Sequence, residues 1–439
     1  MADIAPLTPL RYDLAKLPQG LSVVVAPPYD VIDDAMRAEL CARHPQNIVN
    51  VDLPLGEGDQ KYENGAQILK KWVATGVLVR DTEPAFYRYD QTFVPVGGGK
   101  ARMRRGFLAL VRAVPFSARI VLPHERTLSG PKEDRLKLSR ATGAALSPGF
   151  LLYRDPGSTL DPALESGMLL AEFATNDGVH HAIAKVTAKD ALRAIAARVA
   201  QSQLLIADGH HRYETAVRYA EEVSAQHPAA DAFAEHRWYM AFLANGDDPN
   251  LVVFPTHRHV HSLGSFDFDA MLATAAATFT IKQLGELAAD AIVKELDAAG
   301  KLAPSFAAAA ADGRVALLSL RSDVDLAAHA TLGQRPAVLR RTDVALLHHA
   351  VLEHVLGITL EAQAAKTNIW YPQDSSASLA SLRGGKGQVL FLMNATPVAQ
   401  VREIAEAGEV MPQKSTFFHP KVLTGLAIHT LDPQRMVEA

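Results

Sequence analysis

Short apolar runs and amphipathic segments alternate along the whole chain. Clusters of branched or aromatic apolar residues predict strands near 23–25, 86–94, 101–114, 150–153, 181–186, 204–206, 237–243 and 251–254. Apolar residues that recur every three or four positions predict helices near 33–43, 63–74, 132–140, 162–173, 189–200 and from 216 onward. The mixture of both elements predicts an α/β fold, with a mixed α+β arrangement as the alternative.

The length of 439 residues is enough for two or three domains. Changes in composition predict three parts of the chain: an N-terminal α/β segment at 1–115, a middle domain at 116–260 and a C-terminal α/β region at 261–439. The middle domain has the highest density of charged and polar motifs. The alanine-rich stretch 270–332 has few aromatic residues and is interpreted as a peripheral domain or a scaffold. Polar residues return at 411–416, so we expect this part of the C-terminal region to contribute to the site.

The composition excludes several classes of protein. With 44 basic and 48 acidic residues the net charge is −4, so no overall positive field draws the chain to nucleic acid or a membrane. Cys41 is the single cysteine, which rules out an intramolecular disulfide and a cysteine-based metal cluster. The N-terminus lacks the pattern of a secretory signal, and no apolar run approaches the ~20 residues of a membrane helix. We therefore expect a cytoplasmic protein.

The segment Ala207–Ala216 lies at a predicted junction between a strand and a helix, and its ionisable side chains are not needed to pack a core. Such a junction presents backbone N–H groups and the positive end of a helix dipole to an anion. Gly209 permits a tight turn or a close approach to a ligand. Donors for phosphate or carboxylate follow it, at His210, His211 and Arg212.

Two carboxylates flank these donors. Asp208 and Glu214 are candidates to hold a metal ion or to accept a proton. The structural alternative is that Asp208 only caps the helix and that the histidines lie at the surface. Capping alone does not require a glycine, two histidines and an arginine together, so the pattern favours an anion-binding site.

The segment 123–140 is the second concentration of charge. A charged turn follows Pro123 and contains His124, Glu125, Arg126 and Thr127. In the helix predicted after it, Lys132, Arg135 and Arg140 are spaced to share much of one face, which suits a polyphosphate. The alternative for this helix is a solvated face of mixed charge.

The remaining polar motifs carry weaker signals. The turn Ala26–Val31 either brings Tyr29 and Asp30 to a site or is simply rigid, and composition favours the rigid turn. Arg102 and Arg104 alternate on a predicted hairpin strand and are interpreted as surface residues.

Two further patterns are tested against known motifs. A zinc site can be imagined from His210, His211 and His257, but no HExxH spacing supports it. Residues Lys414, Ser415 and Thr416 lack the glycine that a Walker phosphate loop requires before its lysine, although they are able to contribute to a site elsewhere.

Five motifs, taken together and in this order, resemble a widespread bacterial family known as a domain of unknown function, number 1015 in that series. They are Ala26–Val31, Pro123–Thr127, Ala207–Ala216, Pro255–Arg258 and Met411–Thr416. Phe418 stands where this family is expected to have tyrosine more often.

The residues Asp208–Arg212 are also similar to the Gly-x-His-Arg motif of ParB and sulfiredoxin-like proteins, which bind nucleotide phosphates and include free serine kinases. The resemblance implies a ParB/sulfiredoxin-like core around 207–216 and a phosphotransferase that converts L-serine to O-phospho-L-serine. It implies pyrophosphate as the donor, while the residues themselves leave ADP and ATP open.

Roles follow from this resemblance and from the needs of phosphoryl transfer. The expected catalytic residues are Asp208, His210, His211 and Glu214, with the base either Asp208 or Glu214. The expected phosphate-binding residues are Gly209, His211, Arg212, Arg126, Lys132 and Arg135. The expected substrate-binding residues are Tyr29, Asp30, His124, Glu125, Thr127, Lys414, Ser415 and Thr416.

The expected cofactor is Mg²⁺, which would bridge the phosphates and use Asp208 as a protein ligand. The expected partners are small molecules, L-serine with pyrophosphate or a nucleotide, and neither nucleic acid nor membrane; a homodimer is a candidate oligomeric state. Two alternatives stay open: a nucleotide-binding or regulatory module that does not turn over serine, and a metal-dependent phosphohydrolase.

Overall fold

The structure is a computed structural model that describes residues 1–95, 99–127 and 129–438, without the side chain of Ser129. It contains about 35% helix and 25% strand in several sheets, which confirms the mixed α/β class. Contacts divide the chain into two compact units. The first unit comprises residues 1–123, 127–252 and 420 onward, and the second comprises 124–126 and 253–419.

Up to residue 252 the chain belongs to the first unit except for 124–126. Its strands are β1 Ile4–Ala5, β2 Leu10–Tyr12, β3 Leu78–Arg80, β4 Phe86–Phe93, β5 Arg102–Arg112, β6 Val121–Leu122, β7 Ala144–Ala145, β8 Gly149–Tyr153, β9 Met168–Ala174, β10 His180–Val186, β11 Leu204–Asp208 and β12 Trp238–Asn245. Its α-helices are α1 Asp34–Arg43, α2 Val49–Asp52, α3 Gln60–Ala74, α4 Ser129–Thr142, α5 Asp161–Glu165, α6 Lys189–Ala200 and α7 His210–Gln226.

The later strands are β13 Val252–Phe254, β14 Arg258–Val260, β15 Phe279–Gly285, β16 Ser305–Ala310, β17 Val315–Leu320, β18 Ile369–Trp370, β19 Val389–Met393, β20 Phe417–His419 and β21 His429–Thr430. The later helices are α8 Phe268–Ala275, α9 Ala289–Gly300, α10 Ala337–Arg340, α11 Asp343–Ala345, a π-helix at Leu346–Glu353, α12 Leu360–Ala365, α13 Ser375–Arg383 and α14 Val398–Glu406. Short 3₁₀ turns lie at Leu14–Lys16, Leu21–Val23, Tyr29–Val31, Phe116–Ala118, Glu235–Arg237 and Leu332–Gln334.

A mixed sheet forms the centre of the first unit. Within the described residues it has nine strands in the order β6-β11-β8-β12-β5-β4-β10-β9, and β1 pairs with β5. Strands β4 and β5 pair antiparallel, which confirms the predicted hairpin, although residues 96–98 of its turn lie outside the described residues. Buried apolar side chains from the sheet and from α7 form its core, among them Phe86, Phe107, Leu151, Ile206 and Tyr213.

The compact units differ from the three segments predicted from sequence. No unit boundary falls at 115, because β5 pairs with β12 along Trp238–Ala244 and β4 pairs with β10, which joins the predicted first and middle segments in one sheet. The residues from 420 onward return to the first unit, where β21 pairs with β7. Pairing between distant strands has no local signal in the sequence.

The second unit is built on a sheet that, in the described part of the chain, has six strands in the order β15-β17-β16-β19-β14-β18. The alanine-rich stretch supplies three of these strands, and its alanines in β16 are fully buried. Helix α9 packs against β16, and residues such as Ile292 and Ala307 share one core cluster. The small side chains thus permit close packing of helix on sheet.

Two predicted elements are wrong. Residues 23–25 do not form a strand, because the N–H groups of Val24 and Val25 bond locally to the carbonyl of Leu21. The helix predicted at 162–173 stops at Glu165, and Met168–Ala174 instead forms a strand on β10. In this second case the pairing partner overrides the helical period.

Candidate functional site

The predicted junction between strand and helix is confirmed. Apolar β11 ends at Asp208, and α7 begins at His210 after Gly209, whose φ of 94° favours glycine. A Cβ at Gly209 would also lie 3.1 Å from the guanidinium of Arg212. The register between β11 and β8 shifts between Ile206 and Asp208, so the strand is irregular where the polar residues begin.

The carboxylate of Asp208 is held between two cations. Its Oδ2 lies 2.6 Å from Arg212 Nη2, and its Oδ1 lies 2.5 Å from Lys421 Nζ. Arg212 also donates to Ser147 Oγ at 2.7 Å and to the carbonyl of Pro148. Burial disfavours the charge of Arg212, but Asp208 compensates, and the pKa of Arg212 is raised. Arg212 is therefore anchored, and it positions Asp208.

Arg104 lies in the same network and is fully buried. Its Nη2 donates to Gln91 Oε1 and, at 2.6 Å, to the carbonyl of Pro420, while Gln91 Nε2 donates to the carbonyl of Lys421 at 2.9 Å. Its Nε and Nη1 have no hydrogen-bond partner among the described residues. Burial lowers the pKa of Arg104, and the nearby Asp208 opposes this effect. The prediction that Arg104 is a surface residue is wrong.

Three cations gather at the start of α7. Arg212 and Lys421 pair with the carboxylate of Asp208, whose charge also acts on Arg104. The first turn of α7 contains no acidic residue, so the positive end of its dipole adds to the three cations. His210 is buried and His211 half-buried in the same turn. The arrangement is suited to an anion with several oxygens.

Glu214 lies one turn along α7 and is engaged separately. Lys132 Nζ lies 2.6 Å from its Oε2, and the hydroxyl of Thr127 donates to its Oε1 at 2.6 Å. Lys132 also donates to Thr127 Oγ1 at 3.1 Å. Lys132 and Glu214 line a cavity of about 340 Å³ beside Phe116. The charge of Lys132 is therefore balanced by Glu214.

Arg135 is buried in a different cluster. It donates to the carbonyl and, at 3.1 Å, to the Oδ1 of Asp52, and its other donors reach Asp134. Its guanidinium lies 4.2 Å from the ring centre of Tyr29, and burial raises the pKa of Tyr29 to about 12. Arg140 instead pairs with Glu222. Lys132, Arg135 and Arg140 thus pair with separate carboxylates.

Several predicted substrate residues meet within the second unit. His124 Nε2 lies 2.8 Å from Thr416 Oγ1. Glu125 Oε1 accepts from the backbone N–H groups of Ser415 at 2.8 Å and Thr416 at 3.2 Å. Lys414 has a φ of 57°, and its carbonyl accepts from Arg258 at 3.2 Å. The motifs Pro123–Thr127 and Met411–Thr416 are thus partly joined by direct hydrogen bonds.

The predicted site residues therefore fall into two groups. Those of the first unit are Tyr29, Asp30, Thr127, Lys132, Arg135, Asp208, Gly209, His210, His211, Arg212 and Glu214, and those of the second are His124, Glu125, Arg126, Lys414, Ser415 and Thr416. Asp30 is exposed, and its charge acts on Arg212.

The residues predicted as metal ligands lie among cations and hydrogen-bond partners rather than in a cluster of ligands. No cluster of three or more histidine, cysteine, aspartate or glutamate side chains that would suit a metal ion occurs among the described residues. Asp208 is already paired with two cations, so it does not fit the role of a resident Mg²⁺ ligand as it stands. An Mg²⁺ ion that accompanies a substrate would have to rely on phosphate oxygens and water.

A family model described as "Protein of unknown function (DUF1015)" matches residues 4–345. The chain belongs to the DUF1015 family. None of the curated proteins has a sequence that matches this chain. In the described part of this DUF1015 protein, the helices are too short or too polar to cross a bilayer.

Solved structures show remote similarity to this DUF1015 protein. A conserved hypothetical protein from Pyrococcus furiosus has 15% identity and a TM-score of 0.35, with 72% of this chain and 92% of that chain covered. A free serine kinase in complex with AMP has 12% identity and a TM-score of 0.34, with 68% and 83% covered. SbnI with a C-terminal truncation, from Staphylococcus aureus, has 9% identity and a TM-score of 0.37, with 74% and 87% covered.

Two residues of the Asp208 network, Lys421 and Arg104, are not among the residues predicted for the site. Lys421 follows a proline near the end of the chain and lies in no predicted motif, and Arg104 is hidden by an alternating strand pattern that also fits an exposed face. The run Gly106–Val111 after Arg104 is nearly all apolar and buried, which is typical of a central strand. That run was the signal that Arg104 lies inside the sheet.

Proposed function

We propose that this DUF1015 protein is a phosphotransferase that phosphorylates free L-serine, with pyrophosphate as its donor. The observation that carries the proposal is the Asp208 carboxylate held between Arg212 and Lys421 at the start of α7. Phosphoryl transfer needs positioned cations around spread negative charge and a group that receives the proton of the acceptor hydroxyl. This cluster supplies both kinds of group.

In this proposal the donor phosphates bind at the start of α7. Lys421 and His211 contact the phosphate oxygens, Gly209 leaves room for them, and the buried charge of Arg104 stabilises them from within the sheet. Arg212 keeps its contacts to Ser147 and Pro148 and acts as a positioning residue.

An arriving phosphate would compete with Asp208 for Lys421. The ammonium moves to the phosphate, and the Oδ1 of Asp208 becomes available to the serine hydroxyl. The serine oxygen then forms a bond to phosphorus, the bond between that phosphorus and the leaving phosphate breaks, and the hydroxyl proton passes to Asp208. Donor binding therefore prepares the base, which discourages transfer of protons before the donor is in place.

The proposed identities of the acceptor and the donor are based on the sequence. The similarity of Asp208–Arg212 to the motif of free serine kinases supports L-serine as the acceptor. The chain has no recognisable adenine-binding signature, which supports a donor without a base. Mg²⁺ is proposed as an ion that enters with the donor.

Phosphorus NMR of the full-length protein tests the proposal. The protein is incubated with Mg²⁺ and L-serine and, separately, with pyrophosphate, ADP or ATP. A phosphomonoester signal of O-phospho-L-serine with pyrophosphate is expected. Nucleotide binding without phosphoserine would favour a regulatory module, and phosphate release without phosphoserine would favour a hydrolase.

Two variants tie the activity to the cluster. His211→Ala is expected to lower kcat/KM by about 100-fold, as loss of a donor to the transition state does. Glu222→Gln is the matched control, since Glu222 lies on the same helix but binds Arg140 and Arg218 at the surface. Equal activity of both variants would remove this site from the mechanism.

A further inference from the structure

The second unit has a cavity of about 290 Å³ that the proposed reaction does not use. One wall comes from α10, the π-helix and α12, and another from the segment 409–413. Apolar side chains cover part of it, namely Leu339, Ala345, Leu360, Ala364 and Val410. Polar side chains line much of the rest, among them Arg126, Arg335, His348, His349 and Gln363. This volume suits a small metabolite.

Arg335 is the main charged group of this cavity. Its Nη2 forms a long ion pair of 3.7 Å with the carboxylate of Glu353, which is beyond hydrogen-bond distance. Its Nε is buried and has no hydrogen-bond partner among the described residues. Glu353 instead bonds to His349 Nδ1 at 2.8 Å. Arg335 therefore retains donor capacity that an anionic ligand would satisfy.

The histidines of the cavity add hydrogen bonds but little charge. His348 Nε2 accepts from Arg258 Nε at 3.0 Å, and its Nδ1 lies 2.7 Å from Gln363 Oε1. Burial lowers the pKa of both His348 and His349. Arg126 and Arg335 thus face the cavity with Glu409 as the acidic group of its lining.

The backbone beside the cavity is unusual. Residues Leu346–Glu353 form a π-helix, in which His354 N–H bonds to the carbonyl of His349. π-helical turns are rare and are concentrated at functional sites, because the extra residue displaces side chains from the regular helical positions. Here the distortion falls on the turn that carries His348 and His349.

Three of the family motifs also meet at this cavity. Arg126 comes from Pro123–Thr127, and Pro412 and Gln413 come from Met411–Thr416. Arg258, from the motif Pro255–Arg258, holds His348. Packing alone does not require an arginine pair, buried histidines and a π-helix around an open space.

We propose that this cavity binds a small organic anion, whose carboxylate or phosphate group pairs with Arg335 and Arg126 and whose apolar part contacts Leu339 and Val410. Both head groups match the planar donor fork of arginine. The ligand is a second one, bound by residues other than those around Asp208.

Calorimetric titration of the full-length protein tests this proposal with two probes that share a short apolar tail, propyl phosphate and butyrate. One of them is expected to bind, and the one that binds identifies the head group. Arg335→Met is expected to weaken that binding by about ten- to a hundredfold, the cost of a lost hydrogen bond to a charged group. Arg341→Met is the matched control, since Arg341 is exposed nearby and does not line the cavity.

A variant that binds the probe more tightly distinguishes anion binding by Arg335 from damage to the fold, which could only weaken binding. Glu353→Gln removes the charge that competes for Arg335 and is expected to tighten binding about two- to fivefold. His211→Ala is expected to leave binding unchanged, which distinguishes this cavity from the site of the proposed reaction. The proposal is overturned if neither probe binds, if Arg335→Met and Arg341→Met behave alike, or if His211→Ala abolishes binding.

Discussion

Lys421 Nζ lies 2.5 Å from Asp208 Oδ1, although 213 positions separate the two residues in the chain. Both side chains are mostly buried, with 16% and 18% of their surface exposed. An ion pair in such a position is expensive to break, because each partner loses the charge that compensates its own desolvation. An incidental ion pair at the surface would carry no such cost, so this pair at the start of α7 indicates a functional role.

The first prediction concerns Lys421. Lys421→Met removes the ammonium that the proposal assigns to the donor phosphates, so kcat/KM should fall by about 100-fold. The measurement is the rate of phosphoserine formation with pyrophosphate. Lys137→Met serves as the control, because Lys137 makes an exposed pair with Asp59 and should change nothing. A full rate in Lys421→Met would show that the lysine is structural.

The second prediction separates activity from stability at Arg104. Arg104→Met removes a buried cation with two unsatisfied donors but also leaves Gln91 Oε1 and the carbonyl of Pro420 without their donor, so the Tm should fall only modestly while phosphoserine formation falls strongly. Arg135→Met is the contrast, since it leaves Asp52 buried without its partner and should cost about 3–5 kcal/mol of unfolding free energy. Thermal unfolding of both variants checks this. A large fall in Tm for Arg104→Met would make Arg104 a structural residue.

The third prediction assigns the base. Asp208→Asn should lower kcat by about 10²- to 10⁴-fold, because the amide cannot accept the hydroxyl proton. Glu214→Gln should keep kcat within about tenfold, since Glu214 mainly holds Lys132 and Thr127. The kcat values of both variants are compared at saturating L-serine. A greater loss in Glu214→Gln would transfer the role of base to Glu214.

The fourth prediction uses a pair of glycines. Gly209→Ala and Gly178→Ala both place a side chain at positive φ, 94° and 79°, and each should lose about 1–2 kcal/mol of stability. Only the Cβ at Gly209 meets a neighbour, the Arg212 guanidinium, whereas the space at Gly178 is open. Chemical denaturation should therefore give similar losses, but only Gly209→Ala should lose activity. Two fully active variants would contradict the tight fit at Gly209.

The fifth prediction is a pH dependence of stability. Burial, with Arg258 nearby, lowers the pKa of His257 to about 4, while the unfolded chain has a value near 6.5. Between these values the unfolded state binds more protons, so this contribution is present above pH 6.5 and is lost as the pH falls toward 4. The loss amounts to about 3 kcal/mol.

An asparagine at this position supplies the control. His257 Nδ1 accepts from the backbone N–H of Met393 at 3.1 Å, and the Oδ1 of asparagine in His257→Asn can take its place without titrating. Urea unfolding of the second unit should therefore depend less on pH in the variant. Identical pH profiles would show that other groups cause the acid sensitivity.

Local features of the fold could be predicted from the sequence. The junction from β11 to α7 follows from an apolar run, a glycine and a helical period within about twenty residues, and the β4–β5 hairpin follows from its alternation. The segment 168–174 could not be predicted, because its apolar residues fit a helix until β10 offers edge hydrogen bonds. Tertiary contacts therefore decide whether the helical spacing of apolar residues or pairing with a neighbouring strand prevails.

The same distinction holds for the site. Asp208, Gly209 and Arg212 could be identified together because they are neighbours in sequence. Lys421 carries no such signal, and the apolar run after Arg104 indicates a buried strand but not its partners. The ion pair and the shared network depend on how distant strands and the residues after 419 return to one sheet. Arg135 has the composition of a phosphate ligand, but burial beside Asp52 gives it another partner.

Residues from 420 onward complete the first unit after the whole second unit has been synthesised. The ribosome therefore translates the Asp208 codon 213 positions before that for Lys421, and the nascent chain carries the Asp208 half of the ion pair before its partner is added. A chain cut short before Lys421 has the helix and the glycine turn but lacks a cation of the cluster. The cell thus obtains the complete cluster only from a chain that has been translated past this lysine.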